Sequence, residues 1–273
     1  MIYSLRLRGW FARVFVEVYN LMAINDYNIL CDDLYSEMSI NTEMELPTGR
    51  DTILSFFERV QKQFPSMGNF YRRKKTEFCL EENGEGGSYR WLTLEKNSIS
   101  SGMANPGSLE DVYSLDRLVL ELVPYMLSVS YLDINSLDVT FGMDFDYYGN
   151  GDEVIAEAFF GSTPFNSLIE LPGANVTGLS PNMVIALTSD QLTQARISIE
   201  SKTGANEPEK SKRESDDMIS LAFTIRQYPG SLAKLDMMQS FEYQCRLAEE
   251  LMVDKFIPNF VRPLVNVIAH KRL

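Results

Sequence analysis

Apolar residues recur with helical spacing in three segments of the chain. The first covers residues 51–64, and the second begins where Ser108 and Asp111 have the spacing of a capping box. The third follows Ser231, a candidate N-cap residue, and is expected to end before Pro258. Because the apolar positions of each segment repeat about every 3.6 residues, the pattern predicts three principal amphipathic helices.

Alternating apolar and polar residues predict strands between these helices. The glycine-rich residues 83–87 and the pair Asn150-Gly151 each interrupt an alternating region, and Asn-Gly is the typical turn of a two-residue hairpin. The predicted strands cover residues 70–82, 88–98, 137–148, 152–160, 196–201 and 218–226. Sequential hairpins of this kind favour an antiparallel sheet.

The fold class that follows is α+β, with an antiparallel sheet and three principal helices packed on one of its faces. If residues 189–195 form a short helix, the order of elements also admits two similar ββαββα halves, 1–130 and 131–273. One continuous domain is the alternative. Residues 202–217 contain a single alanine as their apolar content, which predicts a mobile surface loop.

The chain is acidic, with 25 lysines and arginines, 38 aspartates and glutamates, and a net charge of −13. This balance disfavours nucleic acid and anionic membranes as partners, because both are negatively charged. No segment approaches the about 20 apolar residues of a membrane-spanning helix, and no secretory signal is expected. Three widely spaced cysteines, Cys31, Cys79 and Cys245, favour reduced thiols in a cytoplasmic protein.

A single histidine, His270, occurs in the 273 residues, although imidazole is a common general base and metal ligand. The sequence also lacks a nucleophile elbow, a phosphate-binding loop and a dinucleotide-binding fingerprint. No cofactor is therefore predicted, and the oligomeric state stays open. The leading hypothesis is a cytoplasmic binding protein without catalytic activity, which contacts a protein partner through the sheet face or the last helix.

Two acidic residues would face each other if Asn150-Gly151 formed a hairpin turn. In that register Asp144 lies directly opposite Glu157, with Asp146 close by. Paired carboxylates can bind a hard cation or act as an acid and a base, so one alternative is a carboxylate- or metal-dependent hydrolase. A solvated sheet face explains the same residues and is the favoured interpretation, so no metal is predicted.

The densest basic segment before the C-terminal tail is Arg72, Arg73, Lys74 and Lys75. On a strand, Arg72 and Lys74 would share one face, and Arg73 and Lys75 would share the other. Cations that alternate with aromatic residues occur on sheets that bind single-stranded nucleic acid. A second alternative is therefore an anion or nucleic-acid binder, although a solvated strand is the favoured interpretation in so acidic a chain.

Overall fold

The computed structural model describes residue 27 and residues 29–202, 218–230 and 236–272. The predicted loop at residues 202–217 therefore lies outside the described residues apart from Lys202, and so does Ser231, the predicted N-cap. Within the described residues the fold is α+β, in which helices pack against one antiparallel sheet. The predicted fold class is confirmed.

Nine strands of the described residues form a single sheet. They are β1 (Asp33–Thr42), β2 (Asn69–Lys74), β3 (Glu77–Glu81), β4 (Tyr89–Leu94), β5 (Ser98–Ala104), β6 (Ile134–Asp146), β7 (Asn182–Ala186), β8 (Thr193–Lys202) and β9 (Met218–Gln227). Their spatial order is β2-β3-β4-β5-β1-β6-β9-β8-β7, and neighbouring strands are antiparallel. Because β1 pairs with β6, the sheet is continuous across residue 131.

On each side of the β1–β6 pair, the strand that comes last in the sequence lies next to the pair, and earlier strands lie farther out. Going outward, the order is β5, β4, β3 and β2 on one side, and β9, β8 and β7 on the other. The expected ββαββα order is not observed, because one described strand precedes the first helix of each part and the others follow it. Residues 189–195, the predicted short helix, instead form the turn after β7 and the start of β8.

Six α-helices accompany the sheet in the described residues. They are α1 (Arg50–Gln63), α2 (Leu109–Met126), α3 (Gly151–Phe160), the short α4 (Asn166–Ile169), α5 (Met237–Leu251) and α6 (Arg262–Lys271). The first two predicted helices are confirmed, and each begins within one or two residues of its predicted start. The predicted N-cap Ser108 accepts a hydrogen bond of 3.2 Å from the backbone N–H of Asp111, which satisfies a free donor of α2.

The last helical region continues past Pro258, where the sequence predicts a stop. Pro258 lies within a π-helical segment, Met252–Val261, which joins α5 directly to α6. Proline disrupts a regular α-helix because it lacks an N–H and its ring clashes with the preceding turn, whereas the wider π-turn accommodates it. Packing holds the segment in place: the ring of Phe256 stacks on that of Phe223 in β9, with 5.1 Å between centroids.

Residues 152–160 form helix α3 and not the second strand of a hairpin. The side chain of Asn150 accepts a hydrogen bond from the backbone N–H of Glu153, so Asn150 is the N-cap of α3 and not a turn residue. Asp152 and Glu153 lie in the first turn, where negative charge favours a helix. The predicted hairpin is therefore wrong, and so is the cross-strand pairing of Asp144 with Glu157 that depended on it.

The principal helices pack on one face of the sheet and enclose the core there. Helix α2 contacts β5, α3 contacts β8, and α5 contacts both β6 and β9. In β1 the side chains alternate strictly: Leu34, Ser36, Met38 and Ile40 are buried beneath the helices, and the residues between them point away. The second set of side chains therefore forms the other face of the sheet, here called the open face.

Candidate functional site

The open face is polar over its central strands. Side chains that alternate with the buried core residues carry hydroxyl, carboxyl and guanidinium groups, among them Tyr35, Glu37, Ser39, Asp138, Thr140, Asp144, Arg196, Ser198, Ser220, Thr224 and Arg226. Two contacts order this face: Thr140 and Thr224 are hydrogen-bonded at 2.8 Å, and Arg226 forms a bidentate pair with Asp138 at 2.8 and 2.5 Å. No helix of the described residues is packed on this face of the strands.

A cleft of about 450 Å³ lies on the open face where β1, β4 and β5 run side by side. This volume is within the usual range of ligand sites. Its lining residues are Asp33, Leu34, Tyr35, Glu37, Arg73, Glu81, Tyr89, Trp91, Thr93, Glu95, Ser100, Ala104 and Asp144. The cleft therefore combines three large aromatic rings with five carboxyl groups.

Two glycines allow aromatic rings to lie close against the strands. A Cβ atom on Gly142 of β6 would overlap the ring of Tyr35, and one on Gly102 of β5 would overlap the indole of Trp91. Tyr35 and Gly142 are register partners in the β1–β6 ladder, as Trp91 and Gly102 are in the β4–β5 ladder. Each ring thus occupies the space that a side chain on the neighbouring strand would otherwise fill, and both half-buried rings line the cleft.

Glu37 is a half-buried carboxylate in this cleft. Its Oε1 atom accepts a hydrogen bond of 3.1 Å from the hydroxyl of Ser39, and the indole of Trp91 is a second donor. Burial raises the pKa of Glu37, the two hydrogen bonds oppose that rise, and the nearby charge of Glu95 adds to it. No ion pair in the described part of the chain reaches Glu37, so its charge is offset by neutral donors alone.

Asp144 does have an acidic residue directly opposite it, but that residue is on β1 and not in the segment 152–160. In the β1–β6 ladder its register partner is Asp33, and both residues line the cleft. Burial raises the pKa of Asp144, a hydrogen bond with Ser220 and the charge of Lys202 lower it, and the charge of Asp33 raises it. The Oδ1 atom of Asp144 is buried without a hydrogen-bond partner, a costly arrangement for a carboxylate.

The surroundings of Tyr35 indicate that the electrostatic potential in the cleft is negative. Burial raises the pKa of its hydroxyl to about 12, and the charges of Asp144 and Glu37 contribute to that rise. The one cation in the lining, Arg73, lies 3.0 Å from Glu77 and also donates to the hydroxyl of Tyr71 at 3.1 Å. Because Arg73 already has these partners, the cleft as a whole is negative.

The predicted acidic site residues do not converge. Asp144 lines the open-face cleft, whereas Glu157 lies on α3, lines a separate cavity and forms a 3.0 Å ion pair with Lys271. Asp146 is exposed at the end of β6, and its backbone N–H donates to Asp32 at 2.8 Å. Among the residues that the structure describes, no group of three or more potential metal ligands is brought together.

The basic segment does not form two alternating faces. Its register is irregular between Arg72 and Lys74, so that Arg73 and Lys74 both pair with Glu77, at 3.0 and 3.3 Å, and Lys75 follows in the turn. Arg72 lies over the ring of Phe78, at 5.4 Å from its centroid. An irregular ladder breaks the two-residue period on which the prediction rested.

The thiols and the histidine lie apart from the cleft lining. All three cysteines are free; burial raises the pKa of Cys31 to about 12 and that of Cys245 still further, which favours the unreactive thiol form. His270 is exposed in the last turn of α6. Across the described ranges, no helix is both long and apolar enough to cross a membrane.

Most of the cleft residues were not among the predicted site residues. Tyr35 and Glu37 belong to β1, a strand that was not predicted, although its apolar residues Leu34, Met38 and Ile40 recur at even spacing. Trp91 lies on β4, which is three positions away from β6 in the order of the sheet. The sequence alone gives no signal that Trp91 shares a cleft with Asp144. Of the predicted residues, the structure brings only Asp144 and Arg73 into the cleft.

No known protein family and no curated protein matches this chain. Among solved structures, the chain has a weak similarity to the crystal structure of the di-domain ARO/CYC BexL from the BE-7585A biosynthetic pathway. The two are 8% identical, the match covers 86% of this chain and 98% of the other, and the TM-score is 0.21.

Proposed function

We propose that this chain is a cytoplasmic binding protein whose open sheet face receives a protein partner. The observation that carries the proposal is the asymmetry of the sheet: the helices cover one face, and a cleft of about 450 Å³ opens on the other. A concave site with a few convergent polar groups and aromatic walls is the usual form of a binding site. Its acidic character favours a partner surface with positive charge.

Support for binding without catalysis comes from the chemistry of the nucleophiles and bases. The thiols of Cys31 and Cys245 have raised pKa values, and the histidine is exposed away from the cleft lining. Free, widely spaced thiols are typical of proteins in a reducing compartment, which supports the cytoplasmic assignment.

The two alternative functions stay predictions. A hydrolase would have to use the cleft carboxylates Glu37 and Asp144, because Glu157 lines another cavity. An anion or nucleic-acid binder would have to use Arg72, Lys74 and Lys75 at the edge of the sheet, since Arg73 faces the negative cleft. Neither has a contact in the described residues that favours it over binding of a positively charged partner.

Site-specific photo-crosslinking in the native host tests the proposal. A benzophenone side chain would replace Thr140 or Ser198 on the open face, and in matched controls Glu121 or Tyr125 on the exposed side of α2. We expect a covalent adduct of defined mass from the open-face positions and none from the controls. Adducts from Glu121 or Tyr125 alone would place the partner on the helical side and refute the proposal.

A further inference from the structure

The cleft has an excess of negative charge that no residue of its own lining neutralises. Five carboxyl groups line it, those of Asp33, Glu37, Glu81, Glu95 and Asp144, against the single guanidinium of Arg73. That guanidinium is held by Glu77 at 3.0 Å, and Glu77 is not part of the lining. A guest with one positive charge would therefore enter a site where its charge is favoured.

Three aromatic residues, Tyr35, Tyr89 and Trp91, line the same cleft. Tyr89 and Trp91 have ring centroids 5.9 Å apart and planes tilted by 51°, and Tyr35 lies over the position of Gly142 on β6. The faces of aromatic rings carry partial negative charge and attract cations, most strongly those that can also stack. Rings and carboxylates together are the usual components of a site for an organic cation.

Building on the proposed function, we infer that this cleft binds the guanidinium group of an arginine side chain presented by the protein partner. A guanidinium is planar and weakly hydrated, so it stacks on aromatic faces and loses little on leaving water. It also offers paired N–H donors that match a carboxylate. A lysine ammonium is more strongly hydrated and cannot stack in this way.

Two carboxylates are assigned to this guest. Glu37 has neutral donors as its partners, from Ser39 and Trp91, and no ion pair in the described residues, so its carboxyl group is available to a cationic ligand beside the indole ring. Asp144 also lines the cleft, directly opposite Asp33 in the β1–β6 ladder. A positively charged guest would reduce the repulsion between these two carboxyl groups.

The test measures binding of a short arginine peptide to the full chain by calorimetry. The probe is an arginine flanked by glycines with both ends capped, and its control carries citrulline, which has the same shape without the charge. We expect the arginine peptide to bind at least about tenfold more tightly than the citrulline peptide, the factor expected for a charged hydrogen bond. Binding should weaken as salt rises above about 0.15 M.

Two nearly isosteric variants locate the site. Glu37→Gln and Asp144→Asn should each lower the affinity for the arginine peptide by about tenfold. Glu121→Gln, which removes the same charge from the exposed side of α2, should change it less than about twofold, since a surface charge elsewhere is largely screened. Thermal melts confirm that each variant is folded, and if one is not, the other still decides the result.

Several results would overturn the inference. Equal binding of the arginine and citrulline peptides would exclude recognition of the guanidinium charge, and unchanged binding by both cleft variants would place recognition elsewhere. A free alkylguanidinium that binds about tenfold more tightly than the peptide would indicate a small ligand instead of a partner side chain. If crosslinking still marks the open face in any of these cases, the proposed function survives and only the guanidinium assignment fails.

Discussion

On β1, consecutive residues meet opposite environments. Met38 and Ile40 are fully buried under the helices, while Glu37 and Ser39, one position away, point to the open face. The same contrast recurs across the sheet, where Val139 and Phe141 of β6 are buried and Thr140 between them makes polar contacts. The covered face therefore supplies the stability of the fold, and the open face is free to carry charge that a core could not tolerate.

Asp116 on the covered face and Glu37 on the open face both have a raised pKa, and the two carboxyl groups differ in their partners. Asp116 of α2 is fully buried under the helices, where it accepts one hydrogen bond of 2.5 Å from Ser101 of β5. Burial raises the pKa of Asp116 to about 8, the bond from Ser101 opposes that rise, and the charge of Glu37 adds to it. Glu37 instead opens onto the cleft, where an incoming cation can reach it.

The largest expected effect comes from placing a charge on the covered face. Val119 of α2 is fully buried, so Val119→Asp would bury an unpaired carboxylate and should lower the free energy of unfolding by more than about 4 kcal/mol. Leu122→Asp should act in the same direction. Val184→Asp on the exposed edge strand β7 is the control, with a change below about 0.5 kcal/mol. Wild-type melting temperatures for both α2 variants would refute this assignment of the core.

The first two helices of the covered face could be predicted from the sequence, because they depend on local periodicity, whereas the strands β1, β5 and β7 are absent from the predicted strands. The apolar stripe of α2 and its cap at Ser108 are determined within a few residues of chain. Residues 152–160 show the limit: Val154 and Ile155 are both buried in α3, and adjacent buried residues contradict a two-residue period. The Asn150 cap with Glu153 three residues later was the stronger signal, but Asn150-Gly151 also has the composition of a hairpin turn.

The cleft could not be predicted, since it depends on which strands become neighbours. Tyr35 and Trp91 lie 56 positions apart and share a cleft because β5 lies between their strands. The acid opposite Asp144 is Asp33, more than a hundred residues earlier, and no local pattern links the two. Local turn chemistry pointed to Glu157 instead, which pairs with Lys271.

Substitution of the two glycines beneath the aromatic rings measures how closely side chains pack on the open face. Gly102→Ala should lower the free energy of unfolding by about 1–3 kcal/mol, the usual range for overpacking, because its Cβ would overlap both Trp91 and the backbone oxygen of Ser36. Gly142→Ala should cost less, since the three atoms nearest to the added Cβ all belong to the side chain of Tyr35, which can move, and none is backbone. Chemical denaturation measures both.

A double variant provides the control for this pair of glycines. Tyr35→Ala should remove the overlap at Gly142, so Gly142→Ala should be less destabilising in a Tyr35→Ala background than in the wild type. No such rescue is expected for Gly102→Ala on removal of Trp91, because the clash with backbone remains. Equal rescue at both positions would contradict the account of the two contacts.

Asp116 makes the stability of the covered face depend on pH. Its pKa is about 8 in the folded protein and about 3.9 in an unfolded chain. Between these values the folded state holds a proton that the unfolded state has released, so this group's contribution to stability is full below the unfolded pKa and falls as pH rises. The loss approaches about 1.4 kcal/mol per pH unit and levels off above the folded pKa.

The corresponding variant is Asp116→Asn, which cannot ionise. We expect the variant to become more stable relative to the wild type as pH rises from about 5 to 8. The free energy of unfolding of the variant minus that of the wild type should therefore increase over this range. Denaturant titrations at several pH values measure that difference, and Ser101→Ala serves as a control that removes the hydrogen bond but keeps the titrating group. A difference that is constant with pH would show that Asp116 is ionised in the folded protein.

The smallest expected effect concerns the acidic pair on the open face. Asp144 and Asp33 are directly opposite in the ladder, and like charges in that position are destabilising by about 0.2–1 kcal/mol. Asp144→Asn should therefore raise the free energy of unfolding by that amount, and less in high salt, because screening weakens the repulsion that it removes. Denaturant titrations at low and high salt give both values.

Divalent cations separate a repulsive pair from a metal site at the same residues. Calcium takes six to eight oxygen ligands, and the described residues bring no three metal ligands together, so millimolar calcium or magnesium should leave the melting temperature of the wild type unchanged. A cation that bound only the folded state would raise stability by about 2.7 kcal/mol at a hundredfold excess over its dissociation constant. A rise of that size in the wild type, absent in Asp144→Asn but retained in Glu157→Gln, would show that the open face binds a metal ion. The open face would then not be a site for an organic cation, and its contrast with the structural covered face would have to be restated.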